Sequence, residues 1–200
     1  MTFAGRYRLG ALLGEGSYGE VYQADDTERG ERVALKLLKR ARPAAIARFK
    51  REFRALQDLH HPNLVSLYEL FEEDGGWYFT MELVRGVGFL DHVRPRGAPA
   101  GDDFDALEPT QPADRPPAPP HEPRLRATLV QLAAGLHHLH AAGKVHRDVK
   151  PSNLLVDRRG RAAAVDAGGV GEAERARDSM DGLAAGTAAY MAPEQARGED

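Results

Sequence analysis

The sequence contains no cysteine, only one tryptophan and no apolar run long enough to cross a bilayer. Without cysteine, neither a disulfide framework nor a thiolate metal site can form. The first ten residues, MTFAGRYRLG, lack the apolar core of a signal peptide. These absences lead us to expect a cytoplasmic protein with no membrane segment in this chain.

A strong excess of basic charge is also missing. The formal net charge is −3, whereas a nucleic-acid-binding surface is normally basic. The hydrophobic fraction of 42% is enough for a real core, and 200 residues suit one ordinary domain or two small lobes. The composition therefore favours a soluble globular protein that does not bind nucleic acid.

The most informative stretch runs from Val145 to Asn153 and reads VHRDVKPSN. Asp148 could accept a proton from an attacking hydroxyl, Lys150 could neutralise a phosphoryl oxygen, and Asn153 could hold a metal ion. Phosphoryl transfer needs positioning and charge neutralisation of this kind more than covalent chemistry. The alternative is a charged loop that arose by chance between two hydrophobic elements.

The stretch HRDVKPSN resembles the catalytic loop of eukaryotic-like Ser/Thr protein kinases of bacteria. The resemblance implies an α+β, bilobal protein-kinase-like fold: an N-lobe with an antiparallel sheet and helix C (1–84), and an incomplete, mainly helical C-lobe (85–200). It also implies ATP and Mg²⁺ as cofactors and a protein serine or threonine as substrate. The segment 77–82 is most similar to kinases that precede a large ATPase or sensor region.

A glycine-rich turn, Gly14-Glu15-Gly16-Ser17-Tyr18-Gly19, follows a strand predicted for Tyr7–Leu13. A lone GxGxxG motif is weak evidence for a kinase, since dinucleotide-binding folds and plain glycine-rich hairpins also contain it. In a dinucleotide-binding fold the glycines open a helix, but here the β-branched and aromatic run from Val21 predicts a second strand. A strand, turn and strand is the kinase arrangement, in which backbone amides approach phosphates.

Lys36 lies in an alternating apolar strand predicted for 32–38. The resemblance implies that it contacts the α- and β-phosphates and pairs with Glu52. Apolar residues at three- and four-residue steps predict an amphipathic helix over 43–60, which would carry Glu52. The alternative for Glu52 is a surface partner for Arg48.

Two further strands are predicted for Leu64–Glu72 and Trp77–Glu82, joined by a turn at 73–76. By resemblance, Met81 occupies the gatekeeper position and residues 82–84 form the hinge that hydrogen-bonds adenine. The other nucleotide-binding positions implied by the resemblance are Leu13, Gly14, Gly16, Gly19, Val21, Ala34, Lys36, Met81, Glu82, Val84 and Leu155.

Nine of the thirteen prolines fall in the segment from Arg94 to Pro123, where apolar periodicity disappears. We therefore expect a disordered or extended insertion at about 95–123. A leucine stripe then predicts a helix with one buried face over Arg124–Ala142: Leu125, Leu129, Leu132, Leu136 and Leu139. His137, His138 and His140 lack suitable company for a metal site, so we expect structural or surface roles.

A short hairpin over 154–165 is expected to deliver Asp166, which by resemblance binds metal together with Asn153. Asp166-Ala167-Gly168 resembles the DFG motif, with alanine in place of phenylalanine. That phenylalanine would complete a hydrophobic stack with Leu56, Leu67 and His146. Phe→Ala changes in a core destabilise by about 3–5 kcal/mol unless neighbours close the gap, so we expect a poorly held active conformation.

Three functions stay open from the sequence. The first is an ATP-dependent Ser/Thr protein kinase whose catalytic residues are Asp148, Lys150, Lys36 and Glu52. The second is a pseudokinase-like module that binds nucleotide or a partner, which Ala167 favours. The third is a truncated fragment without function, because the sequence stops six residues after Glu194 of the APE-like motif.

Overall fold

The computed structural model describes residues 2–16, 19–38, 43–94, 119–165 and 189–197. The strands are β1 (Thr2–Phe3), β2 (Tyr7–Gly16), β3 (Gly19–Asp26), β4 (Glu31–Leu38), β5 (Leu67–Glu73), β6 (Gly76–Glu82), β7 (Gly86–Gly88), β8 (Leu154–Asp157) and β9 (Ala162–Ala164). The helices are α1 (Pro43–Gln57), α2 (Phe89–Val93), α3 (Glu122–Ala141) and α4 (Pro193–Arg197), with a 3₁₀ turn at Pro151–Asn153.

The first part of the chain forms a six-stranded antiparallel sheet in the order β1-β2-β3-β4-β6-β5. β4 lies inside this sheet, and its central residues, Val33–Lys36, are all buried. An alternating apolar strand is stabilised there because both of its faces are covered. Lys36 is thereby fixed in register opposite Val21 on β3 and Phe79 on β6.

Helix α1 packs on the sheet through aromatic side chains. The rings of Phe49 and Phe53 each lie 5.7 Å from the ring of Phe79, centroid to centroid. At the edge of this cluster, the Lys50 ammonium lies 3.8 Å from the centre of the Trp77 ring, which is a cation–π contact. These contacts fix α1 against β6, the strand that ends at the nucleotide-binding segment predicted above.

A buried ion pair holds the start of the sheet together. The Arg6 guanidinium donates to both carboxylate oxygens of Asp26, at 2.7 and 2.6 Å, and its Nη1 lies 3.0 Å from Glu69. Asp26 is only 2% exposed. The hydrogen bonds from Arg6 lower the pKa of Asp26 to about 2, because they stabilise the charged carboxylate.

The second part of the chain contains a three-stranded sheet, β7-β8-β9, beside helix α3. An Ala at position 86 would place its Cβ 2.2 Å from the carbonyl oxygen of Val156. Glycine is thus required for β7 to approach β8. The loop after α1 is tied to this part by Asn63, whose Nδ2 donates to Ala162 O at 2.7 Å and to Gln131 Oε1 at 2.9 Å.

The structure confirms the fold class and moves several predicted element boundaries. Helix α1 ends at Gln57 rather than His60, β5 begins at Leu67 rather than Leu64, and α3 begins at Glu122. The prediction that the whole leucine stripe of α3 is buried is wrong, because Leu129 is 46% exposed. The buried contacts of α3 are made by Thr128, Gly135 and Leu139. Most of the predicted insertion, residues 95–118, lies outside the described residues.

Candidate active site

A cavity of about 440 Å³ lies between the large sheet and the segment that contains β8. Its walls come from the glycine-rich turn, from β4, from the end of β6 and from β8. Most of the nucleotide-binding residues predicted from the sequence line this cavity: Leu13, Gly14, Gly19, Val21, Ala34, Lys36, Met81, Glu82, Val84 and Leu155. Its volume falls within the range of small-molecule pockets.

Lys36 supplies a positive charge on the cavity wall. The residue is 3% exposed, and its Nζ lies 6.0 Å from the centre of the Phe79 ring. Lys36 lines the cavity from β4. A positive charge at this position favours contact with an anionic ligand, as the resemblance implies.

Three residues of the loop 145–153 converge beside the same cavity. Asp148 is 5% exposed, and its Oδ2 lies 2.8 Å from Nζ of Lys150. Asn153 donates from Nδ2 to that Oδ2 at 2.7 Å and to the Asp148 carbonyl oxygen at 3.0 Å. Lys150 and Asn153 also line the cavity. A carboxylate held by a charged and a neutral donor is well oriented to accept a hydrogen bond from a substrate hydroxyl.

The backbone of this loop is held in an unusual conformation. Arg147, just before Asp148, has a φ of 64°, which non-glycine residues rarely adopt. Asn153 donates from its backbone N–H to Lys150 O at 3.0 Å, and it accepts a bond of 2.9 Å from Val165 N–H. The second bond ties the loop to the end of the β8–β9 hairpin, one residue before Asp166. Strained backbone of this kind is concentrated at functional sites.

The end of β6 forms the inner wall of the cavity. Met81 is 7% exposed and pairs with Ala34 of β4 and Leu67 of β5. Glu82, the last residue of β6, pairs with Val33, and the segment then leaves the sheet toward β7. The residues predicted to be the gatekeeper and the hinge are therefore placed next to each other along one wall.

Three further predicted site residues are Gly16, Glu52 and Asp166. Gly16 pairs with Gly19 across the glycine-rich turn. Glu52 belongs to α1 by its backbone, but its side chain is outside the described residues, as is Asp166. The predicted Lys36–Glu52 pair and the Asp166 metal ligand stay predictions.

The sequence analysis missed several lining residues, namely Glu15, Val65, Ser152 and Val165, whereas Leu83 lies in the predicted hinge segment 82–84. Val65 and Val165 carry an apolar signal, but the same signal marks any core position. These residues differ from other core residues only because they line the cavity, which forms where segments distant in the sequence meet. Local patterns therefore could not separate them from ordinary core residues.

The residues expected to stack on a DFG phenylalanine do meet in the structure. Leu56, Leu67 and His146 line a cavity of about 20 Å³. A space of this size can hold roughly one water molecule. Ala167 itself is outside the described residues. The loss of packing expected from Ala167 therefore stays a prediction.

Of the three histidines on α3, His138 is partly buried, whereas His137 and His140 are exposed. His61 stacks on His138 with ring centroids 5.1 Å apart. Burial, and next the charge of His138, lower the pKa of His61. No group of three or more His, Cys, Asp or Glu side chains within the described ranges could hold a metal ion. Likewise, none of the helices in those ranges is long and apolar enough to span a membrane.

The chain belongs to the protein kinase family: residues 7–200 match the protein kinase domain. The bilobal arrangement and the site geometry agree with this assignment. The chain is 38% identical over 199 residues to the DNA damage-responsive serine/threonine-protein kinase RqkA of Deinococcus radiodurans. The matched region covers 98% of this chain and 27% of RqkA.

Two other relatives are similar over nearly the same region. Serine/threonine-protein kinase PknA of Mycobacterium tuberculosis is 35% identical over 100% of this chain and 43% of its own length. CBL-interacting protein kinase 19 of Oryza sativa subsp. japonica is 36% identical over 95% of this chain and 34% of its own. The chain thus spans less than half the length of these relatives.

Proposed function

We propose that the chain binds Mg²⁺-ATP in the 440 Å³ cavity and transfers the γ-phosphoryl group to a serine or threonine hydroxyl of a protein. The observation that carries the proposal is the convergence of Lys36, Lys150 and Asn153 on one cavity, with Asp148 hydrogen-bonded to two of them. Lys36 precedes the other three residues by more than one hundred positions in the sequence. The kinase relatives support the same reaction.

In this proposal the adenine lies against Met81, Ala34 and Leu155, which give the cavity an apolar section. Backbone groups of residues 82–84 hydrogen-bond its edge. Lys36, two residues after Ala34 on β4, then neutralises negative charge on the phosphates. Charge neutralisation by fixed groups is effective in such a site because no reorganisation is needed during the reaction.

Asp148 acts on the protein substrate. Its carboxylate orients the attacking hydroxyl and accepts the proton as the new O–P bond forms, while the bond between the γ-phosphorus and the bridging oxygen breaks and ADP leaves. Lys150 lies 2.8 Å from that carboxylate, so it can contact the transferred phosphoryl group while staying near Asp148. Asn153 keeps the carboxylate aligned through its hydrogen bond to Oδ2, and a second bond from the same amide nitrogen reaches the Asp148 carbonyl oxygen.

Asn153 also fits a Mg²⁺ ligand. Its amide nitrogen faces Asp148, and the amide oxygen is a hard oxygen donor of the type that Mg²⁺ prefers. Asn153 and Asp166 would hold the ion, which supplies additional charge neutralisation on the phosphate oxygens. We further propose a cytoplasmic location.

The test is transfer of labelled phosphate from ATP to a generic basic protein substrate in the presence of Mg²⁺. We expect transfer by the wild type and loss of transfer in Asp148→Asn, with Mg²⁺-ATP still raising the melting temperature of that variant. Transfer at the wild-type rate by Asp148→Asn would overturn the assignment of Asp148.

A second candidate is a nucleotide-binding pseudokinase, favoured by Ala167 in the DFG-like motif. It predicts that Mg²⁺-ATP raises the melting temperature but that no phosphate is transferred. In that case Ala167→Phe should restore some transfer. Transfer by the wild type would exclude this candidate.

A further inference from the structure

Arg161, which precedes β9, contacts three separate segments through one guanidinium group. Its Nη2 makes a close ion pair with Oε1 of Glu82, at the end of β6. Its Nη1 donates to the carbonyl oxygen of Pro62, in the loop after α1, at 3.0 Å. Its Nε lies 3.5 Å from Oδ2 of Asp157, on β8. The side chain is 29% exposed, so these contacts are only partly screened by solvent.

The ion pair spans the connection between the two sheets. Only residues 83–85 separate Glu82 from Gly86, and Gly86 pairs with Asp157 in the small sheet. Asp157 in turn accepts a hydrogen bond of 2.9 Å from the backbone N–H of Arg161. A closed ring of contacts therefore runs from Glu82 through residues 83–85, β7 and β8 to Arg161 and back to Glu82. A change of angle at the connection must stretch or break the Arg161–Glu82 pair.

The same ring includes two walls of the nucleotide cavity. Glu82 lines the cavity from β6, and Leu155 lines it from β8, two residues before Asp157. Fixing Glu82 relative to β8 thus fixes the separation of the walls between which adenine is proposed to lie. Arg161 is absent from the cavity lining within the described residues.

We infer that Arg161 is a positioning residue for nucleotide: it holds the hinge at the angle that lets the cavity accept ATP. This inference rests on the proposed function, since it assigns the effect to nucleotide affinity. The fixed planar fork of arginine allows bonds to a carboxylate and to a carbonyl in two directions at once. Lysine would keep the charge facing Glu82 but would lose the simultaneous contact with Pro62.

The first measurement is hydrogen exchange of the backbone amides of residues 83–85 in protein without nucleotide. Partly buried, charge-assisted contacts of this type predict that exchange becomes about threefold to tenfold faster in Arg161→Ala and Glu82→Gln. The double variant should be no faster than the single variants, because both remove the same contact. Arg159→Ala removes an exposed arginine from the same turn and should leave the exchange unchanged.

The second measurement is ATP dependence. In Arg161→Ala we expect the KM for ATP, and the Kd measured by calorimetry, to rise about threefold to tenfold, with kcat within about twofold of the wild type. Arg161→Lys should recover part of the affinity. A merely structural role would instead lower kcat and melting temperature without a selective change in KM.

The outcomes separate the two proposals. If the wild type binds no Mg²⁺-ATP, the proposed function fails. Hydrogen exchange of residues 83–85 then still shows whether Arg161 stabilises the segment between the two sheets. If Arg161→Ala does not fold, Glu82→Gln removes the same ion pair with little change of shape. Wild-type exchange rates in both Arg161→Ala and Glu82→Gln overturn the inference. So does an unchanged affinity for ATP in Arg161→Ala when the wild type binds ATP.

Discussion

The glycine-rich turn allows a prediction that separates folding from nucleotide binding. The resemblance to kinases attributes its glycines to the approach of backbone amides to phosphates. In the structure, Gly19 has a second role, because its φ is 146° and a Cβ there would lie 1.8 Å from the carbonyl oxygen of Leu37. Gly14 differs, since a Cβ at that position meets no atom within 4 Å. Gly19→Ala should therefore destabilise the protein even without nucleotide.

The magnitude follows from three contributions. A left-handed backbone conformation costs an L-residue about 1–2 kcal/mol. The contact with Leu37 would force β3 away from β4 at the Gly19–Leu38 pair, with a loss of about 1–2 kcal/mol in ladder hydrogen bonds. Alanine restricts the unfolded chain, which offsets about 0.4–1 kcal/mol. The net destabilisation is about 2 kcal/mol, or about 4–8 °C in Tm for a chain of this size.

The assay is thermal unfolding of Gly19→Ala and Gly14→Ala, each with and without Mg²⁺-ATP. We expect the lower Tm only in Gly19→Ala, whereas Gly14→Ala keeps the wild-type Tm and loses part of the stabilisation by nucleotide. If Gly19→Ala unfolds at the wild-type temperature, the steric argument is refuted and the glycine serves the ligand alone.

Three further predictions concern the buried lysine, the helix contact and pH. Lys36→Met keeps the side-chain volume, so it should leave the Tm unchanged while kcat/KM falls by about 10²-fold or more in the phosphate-transfer assay. Lys50→Met removes the cation–π contact with Trp77, which contributes about 0.5–1 kcal/mol. Because Trp77 is the only tryptophan in the sequence, the fluorescence emission of the protein should change. An unchanged spectrum would contradict the contact. Burial, followed by neighbouring positive charge, lowers the pKa of His61 and His92 in the folded state. Below a pH of about 6.5 the unfolded chain therefore binds more protons than the folded protein. The Tm should consequently fall as the pH is lowered from about 7 to 5. Replacing both histidines by glutamine should flatten that pH dependence, and an unaltered slope would contradict the assignment.

Much of the fold could be predicted because its signals are local. The alternating pattern around Lys36 predicts a strand, and the glycine spacing before it predicts a turn between strands. The loop 145–153 carries its chemistry in consecutive residues, so Asp148, Lys150 and Asn153 could be named together. Their geometry follows from bonds within five residues.

Periodicity does not show whether a partner covers a face. The leucine stripe of α3 predicted burial for Leu129, yet this side chain is 46% exposed. It lines a groove with Val149 and Tyr190, and the described residues do not cover that groove. The prediction failed because an apolar face is defined by sequence, whereas its burial depends on which other segments pack against it.

Arg161 shows the same limit for a polar residue. In the sequence it is one of three arginines around a turn, and nothing local separates it from Arg158 and Arg159. Its partners, Glu82 and Pro62, are 79 and 99 residues away. The pairing of β7 with β8 brings Arg161 near Glu82, and the hydrogen bond of Asn63 to Ala162 brings the loop that contains Pro62 beside it.

The most direct test of the central claim is a crystal structure of the protein with Mg²⁺ and a non-hydrolysable ATP analogue. The account predicts adenine between Met81 and Leu155, phosphates beside Lys36 and a Mg²⁺ ion bound by Asn153. Density for the nucleotide at any other place, with the cavity beside Lys36 empty, would contradict it.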